Sequence, residues 1–513
     1  MRTGQARTAQ SVLPAAGLVV TLLVAGCTDD GGMRPNRDRG SGRAEQAAPV
    51  PAAQAGPATV AAGRTPAEIS ASVSRSLFTS SPTVVVALST DPAAMSEAST
   101  QAERLGVPLL LDDGAGGAAA TEAGRLKSGT VLALGAGVSD RLAQVAGADV
   151  VGDAGELPAL GRPEPLSDTA VLVQTAAGAA AKATAAAVTV TAKAAGARAI
   201  PVTGTDPRAS VRTIEDLATA KPAHVVAAGS AFGNADRLAA RVAVASTGVQ
   251  LPGGGQVVLP GRRLVAMYGH PGSPALGVLG EQPVDEAIVR ARTLAEPYQA
   301  LSGSTPVVPA FEIISSVATA GPGPDGNYSF EAPVSLLKPW VDRAGKAGMY
   351  VVLDLQPGRT DFLTQAKRYE PLLTLPYVGL ALDPEWRLEP GQKHLTQIGS
   401  VAASEVNAVY RWLADLTERN SLPQKLLVLH QFRLDMISDD EPLQRDRDEV
   451  ALLIHMDGQG PTGSKDDTWA AVVGAAPKGV PLGWKNFYDE DLPMLTPAQT
   501  MSRTPTPSMI SYQ

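Results

Sequence analysis

Along the chain, apolar positions gather into short unbroken runs, separated by longer stretches of alanine with scattered charge. The runs at 83–88, 106–111 and 130–134 are each about one strand long and show no polar alternation. Such runs predict strands buried on both faces, as in a parallel sheet covered by helices. The Ala-rich stretch at 93–105 predicts a helix between the first two. The same succession returns as a strand run at 169–173, an Ala-rich stretch at 176–195, and strand runs at 196–202 and 224–229. Each third run leads through a glycine turn into one tripeptide, Asp140-Arg141-Leu142 and then Asp236-Arg237-Leu238. A recurrence of this length predicts a duplicated α/β module over 66–255.

From residue 262 the pattern changes. Apolar runs at 264–268, 306–311, 349–353, 378–382, 426–429, 450–454 and 480–483 alternate with helical stretches. Seven strands at this spacing predict a TIM-like (β/α)8 barrel over 260–500, with the eighth strand unplaced. The fold class expected is therefore α/β, a duplicated parallel module followed by a barrel. The segment 501–513, rich in Thr and Pro, is expected to be a loose tail. Each barrel run is apolar through its body and turns polar at its C-terminal edge. His270, Glu312, Asp354, Asp383 with Glu385, His430 with Gln431, His455 with Asp457, and Lys485 occupy these edges. In such barrels that edge builds the functional site, so these residues are expected to converge.

Composition narrows the chemistry. The net charge is −8 with no basic block, which argues against a nucleic-acid partner. A single cysteine excludes an internal disulfide and any Cys/His metal cluster. No nucleophilic serine elbow, phosphate-binding loop or dinucleotide fingerprint is present. Neither metal nor cofactor is expected, although His270, His430 and His455 could meet Asp354 or Asp457 in a metal-assisted alternative. Several carboxylates with aromatic neighbours suit carbohydrate, which stacks on rings and needs one protonated and one ionised carboxyl for cleavage. Glu385 is the candidate general acid, with Asp383 raising its pKa by proximity, and Glu312, Asp354 or Asp457 is the candidate second carboxylate. Trp386, Trp484 and Tyr488 are candidate stacking platforms, and His270, His430, Gln431, His455 and Lys485 candidate substrate contacts. The loop at 321–328 is either a lid or a solvated excursion, and Gly135-Ala136-Gly137 either an anion nest or a tight turn.

The N-terminus carries Arg2 and Arg7, an apolar run at 12–25 too short to span a bilayer as a helix, and then Gly26-Cys27. Leu22-Leu23-Val24-Ala25-Gly26-Cys27 resembles the lipobox of bacterial lipoproteins. The resemblance implies a signal peptide over 1–26 and lipidation of Cys27. It also implies a protein held on the extracytoplasmic face of the cell membrane, and 27–65 then reads as a flexible tether. The α/β module, with Gly106 to Leu111 and Val131 to Gly135, resembles the type 2 cell wall-binding repeat, which implies docking to cell-wall polysaccharide or peptidoglycan. Leu382-Asp383-Pro384-Glu385-Trp386 resembles the end of the fourth-strand motif of chitinase-like glycosidases. In that family the glutamate is the acid and the aspartate orients substrate. Gly379 and Ala381 stand in the neighbourhood of that motif's earlier aspartates. A lipid-anchored, glycan-directed hydrolase is thus the expectation. The alternatives are a non-catalytic surface protein binding glycan or a partner protein, and a solute-binding lipoprotein with its ligand between the two α/β copies.

Overall fold

Two four-stranded parallel sheets precede a closed barrel of eight parallel strands in the computed structural model, which describes residues 47–513 apart from 116, 144 and 146. Cys27, the expected signal peptide 1–26 and the first part of the expected tether lie outside the described residues.

In the α/β module the strands are β1 (Ala58–Ala61), β2 (Thr83–Leu88), β3 (Leu109–Asp112), β4 (Thr130–Leu134), β5 (Asp149–Val151), β6 (Thr169–Thr175), β7 (Arg198–Thr203) and β8 (His224–Ala228). One sheet has the order β3-β2-β4-β5 and the other β1-β8-β6-β7, all parallel. The two copies therefore exchange strands. β5, which precedes the second copy, completes the sheet of the first, and β1, which precedes the first copy, completes the sheet of the second. The helix Pro66–Leu77 between β1 and β2 starts at a capping box, in which Thr65 and Glu68 satisfy each other's backbone donors. The Ala-rich helix Ala179–Ala194 presents a small-residue face, so its backbone approaches both copies closely. Val188 and Ala192 share a core with Val73, Leu77, Val84 and Val86 of the first copy and Val171 and Val226 of the second. Each buried Val or Leu of this set contributes about 1.5–3 kcal/mol. One core thus fuses the copies.

The barrel strands are β9 (Arg263–Gly269), β10 (Val307–Ala318), β11 (Tyr350–Leu355), β12 (Val378–Leu382), β13 (Lys425–His430), β14 (Val450–Met456), β15 (Leu482–Asn486) and β16 (Met509–Tyr512). They follow one another around the barrel, and β9 closes it by pairing with both β10 and β16. Two expectations change here. The segment read as a loose tail supplies the eighth strand, with Met509 opposite Leu264 and Ile510 opposite Trp484. The segment read as tether contains β1, and Val50–Pro51 pairs with Phe78–Ser80. Both strands have only four residues and take their partners from distant sequence, so neither stands out locally.

Along barrel strands, side chains alternate between the barrel interior and the helix layer. The interior floor holds Leu264 and Ala266 of β9, Val308 and Ala310 of β10, Tyr350 and Val352 of β11, Ala381 of β12, Leu426 and Val428 of β13, Leu453 of β14 and Met509 of β16. Leu251, Val258 and Leu259 of the connector from the α/β module belong to the same cluster, so the connector closes this end of the barrel. The intervening residues, such as Met267, Phe311, Leu353 and Leu429, pack outward against helices. At the junction of module and barrel, Asp448 accepts from Arg237 at 2.6 and 2.7 Å and from Arg241 at 2.7 and 3.0 Å. Arg208 donates to the Asp448 carbonyl at 3.1 Å. These cations hold the Asp448 carboxyl below its ordinary range despite its partial burial.

Candidate active site

Continuing the interior positions by two along each strand gives the site. After Ala266 comes Tyr268, after Ala310 Glu312, after Val352 Asp354, after Ala381 Asp383, after Val428 His430, and after Leu453 His455 and then Asp457. Gly483 and Lys485 of β15 and Ser511 of β16 complete the ring. An apolar floor thus gives way to a polar layer at the C-terminal mouth. Glu312, Asp354, His430 and His455 are wholly buried, and Asp383, Asp457 and Lys485 nearly so.

His430 is the hub. Its Nδ1 lies 3.0 Å from Asp457 Oδ2, and its Nε2 lies 3.0 Å from Glu312 Oε1 and 3.8 Å from Asp354 Oδ1. Burial opposes a charge on the ring, but Asp457 and Glu312 prevail and hold His430 well above its ordinary pKa. Asp457 is correspondingly held below the usual carboxylate range, because His430 outweighs its burial. Tyr268 donates its hydroxyl to Asp354 Oδ2 at 2.9 Å and receives Gln356 Nε2 at 3.3 Å. Lys485 Nζ sits 3.4 Å from the centroid of the Tyr268 ring, a cation–π contact. Burial and the charge of Glu312 push Asp354 up to about 6. Asp383 is raised well above its ordinary value by burial and by Asp354. Burial and then Asp457 push Glu385 up to about 7, with Lys485 and His430 acting against them.

His455 stacks edge-on to His430, with centroids 5.3 Å apart, and its Nε2 meets Ser511 Oγ at 2.7 Å. Burial and the neighbouring imidazolium keep it neutral. Its ring lies directly over Gly483, where any Cβ would overlap Nδ1, so β15 must carry glycine there. Beneath the mouth, Lys465 bonds the Lys485 carbonyl at 2.7 Å and pairs with Asp491 at 2.5 Å, which anchors β15.

Glu312, Asp354, Asp383, Glu385, His430, His455, Asp457 and Lys485 are thus brought together at one mouth. Gln431 is nearly buried and donates its backbone N–H to the His455 carbonyl. His270 turns its Nδ1 to the Ile314 carbonyl at 2.8 Å and stays at the edge. Trp386 is half-buried at the rim against His394, with centroids 5.4 Å apart. Two expectations are corrected. Trp484 is fully buried against Trp469, because the neighbour of an inward-facing Lys485 must point into the helix layer. Tyr488 stands outside the mouth, against Tyr512 and Arg290 beside the helix Val284–Leu301. Neither offers a face to a ligand of the polar layer. The loop at 321–328 is the tip of a hairpin in which Ser329–Glu331 pairs with β10, and His394 Nε2 bonds the Tyr328 carbonyl. Among the described residues no group of His, Cys, Asp and Glu has metal-binding geometry. Tyr268, Gln356 and Ser511 are site residues that the run-by-run reading missed, and the period of two from the floor residues would have found Tyr268.

Comparison with protein-family profiles, with curated proteins and with solved structures gives no match.

Proposed function

We propose that the barrel hydrolyses glycosidic bonds of an envelope glycan, with Glu385 as general acid and Asp457 as the base or nucleophile. In this reading the chain is held at the cell membrane through lipidated Cys27, and the α/β module docks to wall polymer. The observation that carries it is the opposed tuning of two carboxyls at one mouth. Glu385 is pushed up to about 7 and so holds a proton near neutrality, while Asp457 is held low and stays ionised. Two carboxyls driven apart in this way are what general acid–base cleavage of an acetal requires. Asp457 keeps Oδ1 without a hydrogen-bond partner, available to substrate or water, while Oδ2 is fixed by His430. Asp383 donates no proton here. It accepts from the Glu385 backbone N–H at 3.3 Å and so fixes the turn that presents the acid.

Incubating the full chain with purified wall polysaccharide and peptidoglycan, and measuring both retention and new reducing ends, tests the reading. Glu385→Gln is expected to retain polymer and to lose about 10²–10⁴-fold in release. Retention without release by either protein would leave a non-catalytic glycan-binding barrel, and no retention would remove the wall assignment.

A further inference from the structure

We propose that Glu312 is a positioning residue: it locks the His430 ring as an imidazolium, which in turn holds Asp457 by one carboxylate oxygen and leaves the other for the reaction. The proposal deepens the hydrolase reading and rests on it for the task of Asp457, while the state of the ring has its own observations.

Both ring nitrogens face carboxyl oxygens at hydrogen-bond distance, Nδ1 with Asp457 Oδ2 at 3.0 Å and Nε2 with Glu312 Oε1 at 3.0 Å. A neutral imidazole has one N–H donor and one acceptor. It would set a lone pair against one of these oxygens, in a place where Glu312 and His430 are wholly buried and an unmatched polar contact is costly. Both contacts are hydrogen bonds only when the trio holds one proton beyond the neutral ring, on a nitrogen or on a carboxyl. Imidazole is the stronger base by about 2 pH units. On the ring, moreover, the proton gives each carboxylate a charge-assisted bond.

The two carboxyls differ in what else they reach. Asp457 lies past the end of β14, and its charge acts on Glu385, the acid. Glu312 follows the floor residue Ala310 by two positions on β10, and its charge acts on Asp354 and Tyr268 instead. Its hydrogen bond is to the ring, Oε2 being unpartnered, so Glu312 bears on Asp457 through His430. The other groups facing the ring are Asp354 at 3.8 Å from Nε2, His455 edge-on at 5.3 Å and Tyr268 at 6.2 Å between centroids. Asp383 and Glu385 interact with its charge from the turn after β12, and Lys485 is the other cation of the mouth. With Asp354, Asp383 and Glu385 in their protonated forms, Glu312 and Asp457 balance His430 and Lys485, and the lock needs no added ion. An unperturbed histidine changes charge between about pH 5 and 8. The locked ring stays charged through that window, so the support of Asp457 is constant while Glu385 titrates.

The test is nitrogen NMR of the full chain, labelled with nitrogen-15 histidine, between pH 5 and 9. One of the five histidines is expected to keep both ring nitrogens protonated at pH 8. In Glu312→Gln that ring is expected to titrate about 1–3 pH units lower. Glu312→Asp, which draws the carboxylate back by one carbon, is expected to move it the same way by less, and it serves if thermal melting shows Glu312→Gln unfolded. No doubly protonated ring in the parent at pH 8, or a titration that the folded variant leaves unchanged, overturns the proposal. Reducing-end release is followed over the same range. On the alkaline side the parent is expected to lose release with one ionisation at about 7, that of Glu385. The variant is expected to show a second at the midpoint of its ring, and a profile parallel to the parent's would make Glu312 merely structural and overturn the proposal. A locked ring in a chain that releases nothing would keep the lock and remove the hydrolase, whereas release by a parent with a neutral ring would do the reverse.

Discussion

Glu385 and Asp457 are chemically alike, and what separates them is which neighbour each one faces. Asp457 has a cationic imidazole at 3.0 Å, while Glu385 has burial and the charge of Asp457 itself. That asymmetry has a stability consequence as well as a kinetic one. The folded-state pKa of Glu385 lies above its unfolded value, so the folded protein binds this proton more tightly. Its contribution is favourable at low pH and is lost as pH rises from about 4.5 to about 7, and Asp354 adds the same sign up to about 6. Glu385→Gln removes the acid and also the cost of ionising it. The variant is therefore expected to be more heat-stable than the parent at pH 8, on the order of 1–3 kcal/mol, with the gain vanishing at pH 5. Thermal melts at the two pH values check this, and an equal effect at both would contradict the assigned environment. At this scale the sequence was informative about chemistry and less so about direction. The polar residues at run ends were visible as Glu312, Asp354, Asp383, His430 and Asp457. Trp484 was misassigned because aromatic identity was weighed without strand parity, which sends it outward beside inward Lys485. Ser511 was hidden because its strand was not recognised.

At the scale of elements, the runs that could be read were unbroken apolar runs buried on both sides, such as β2 and β11. Strands that could not, such as β1, β5 and β16, have four residues or fewer and no marked apolar run, and tertiary partners rather than local propensity decide their fate. The junction of module and barrel was likewise invisible, since Arg208, Arg237 and Arg241 lie more than two hundred residues from Asp448. Asp448 gathers these three arginines on one half-buried carboxylate. Because its folded pKa is depressed, its contribution is complete above the unfolded value of 3.8 and is lost as pH falls below it. Asp448→Ala leaves cations facing one another and is expected to cost on the order of 2 kcal/mol, below the range for fully buried pairs because this site is partly wet. Urea unfolding followed by tryptophan fluorescence reports the barrel alone, since every tryptophan lies beyond residue 339. Far-ultraviolet circular dichroism reports both halves. Coincident transitions in the parent and separated ones in Asp448→Ala are the expected result, and coincidence in both would deny the junction its coupling role.

On the scale of the whole molecule, the duplication and the barrel were both legible, because each repeats one hydrophobic pattern many times. How the copies interlock was not legible, since exchange of β1 and β5 leaves the local pattern of each copy unchanged. The exchange makes the choice of N-terminus decisive. A chain starting at residue 66 lacks β1 and the Val50–Pro51 pairing, and it bares one edge of β8. It is expected to melt lower than a chain starting at residue 47 and to be cut faster by protease within 169–228. Equal melting would show β1 to be dispensable.

The same exchange reaches into the birth of the protein. β1 leaves the ribosome early, yet its partner β8 follows about 170 residues later, an interval set by the pairing of Ala58 with Val225. During synthesis at ~5–20 residues per second, the first strand therefore waits for many seconds beside an incomplete second sheet. A waiting edge invites the wrong neighbour. Its four small residues, Ala58, Thr59, Val60 and Ala61, offer little surface to such a neighbour, so the brevity that hid this strand from view also protects the nascent chain.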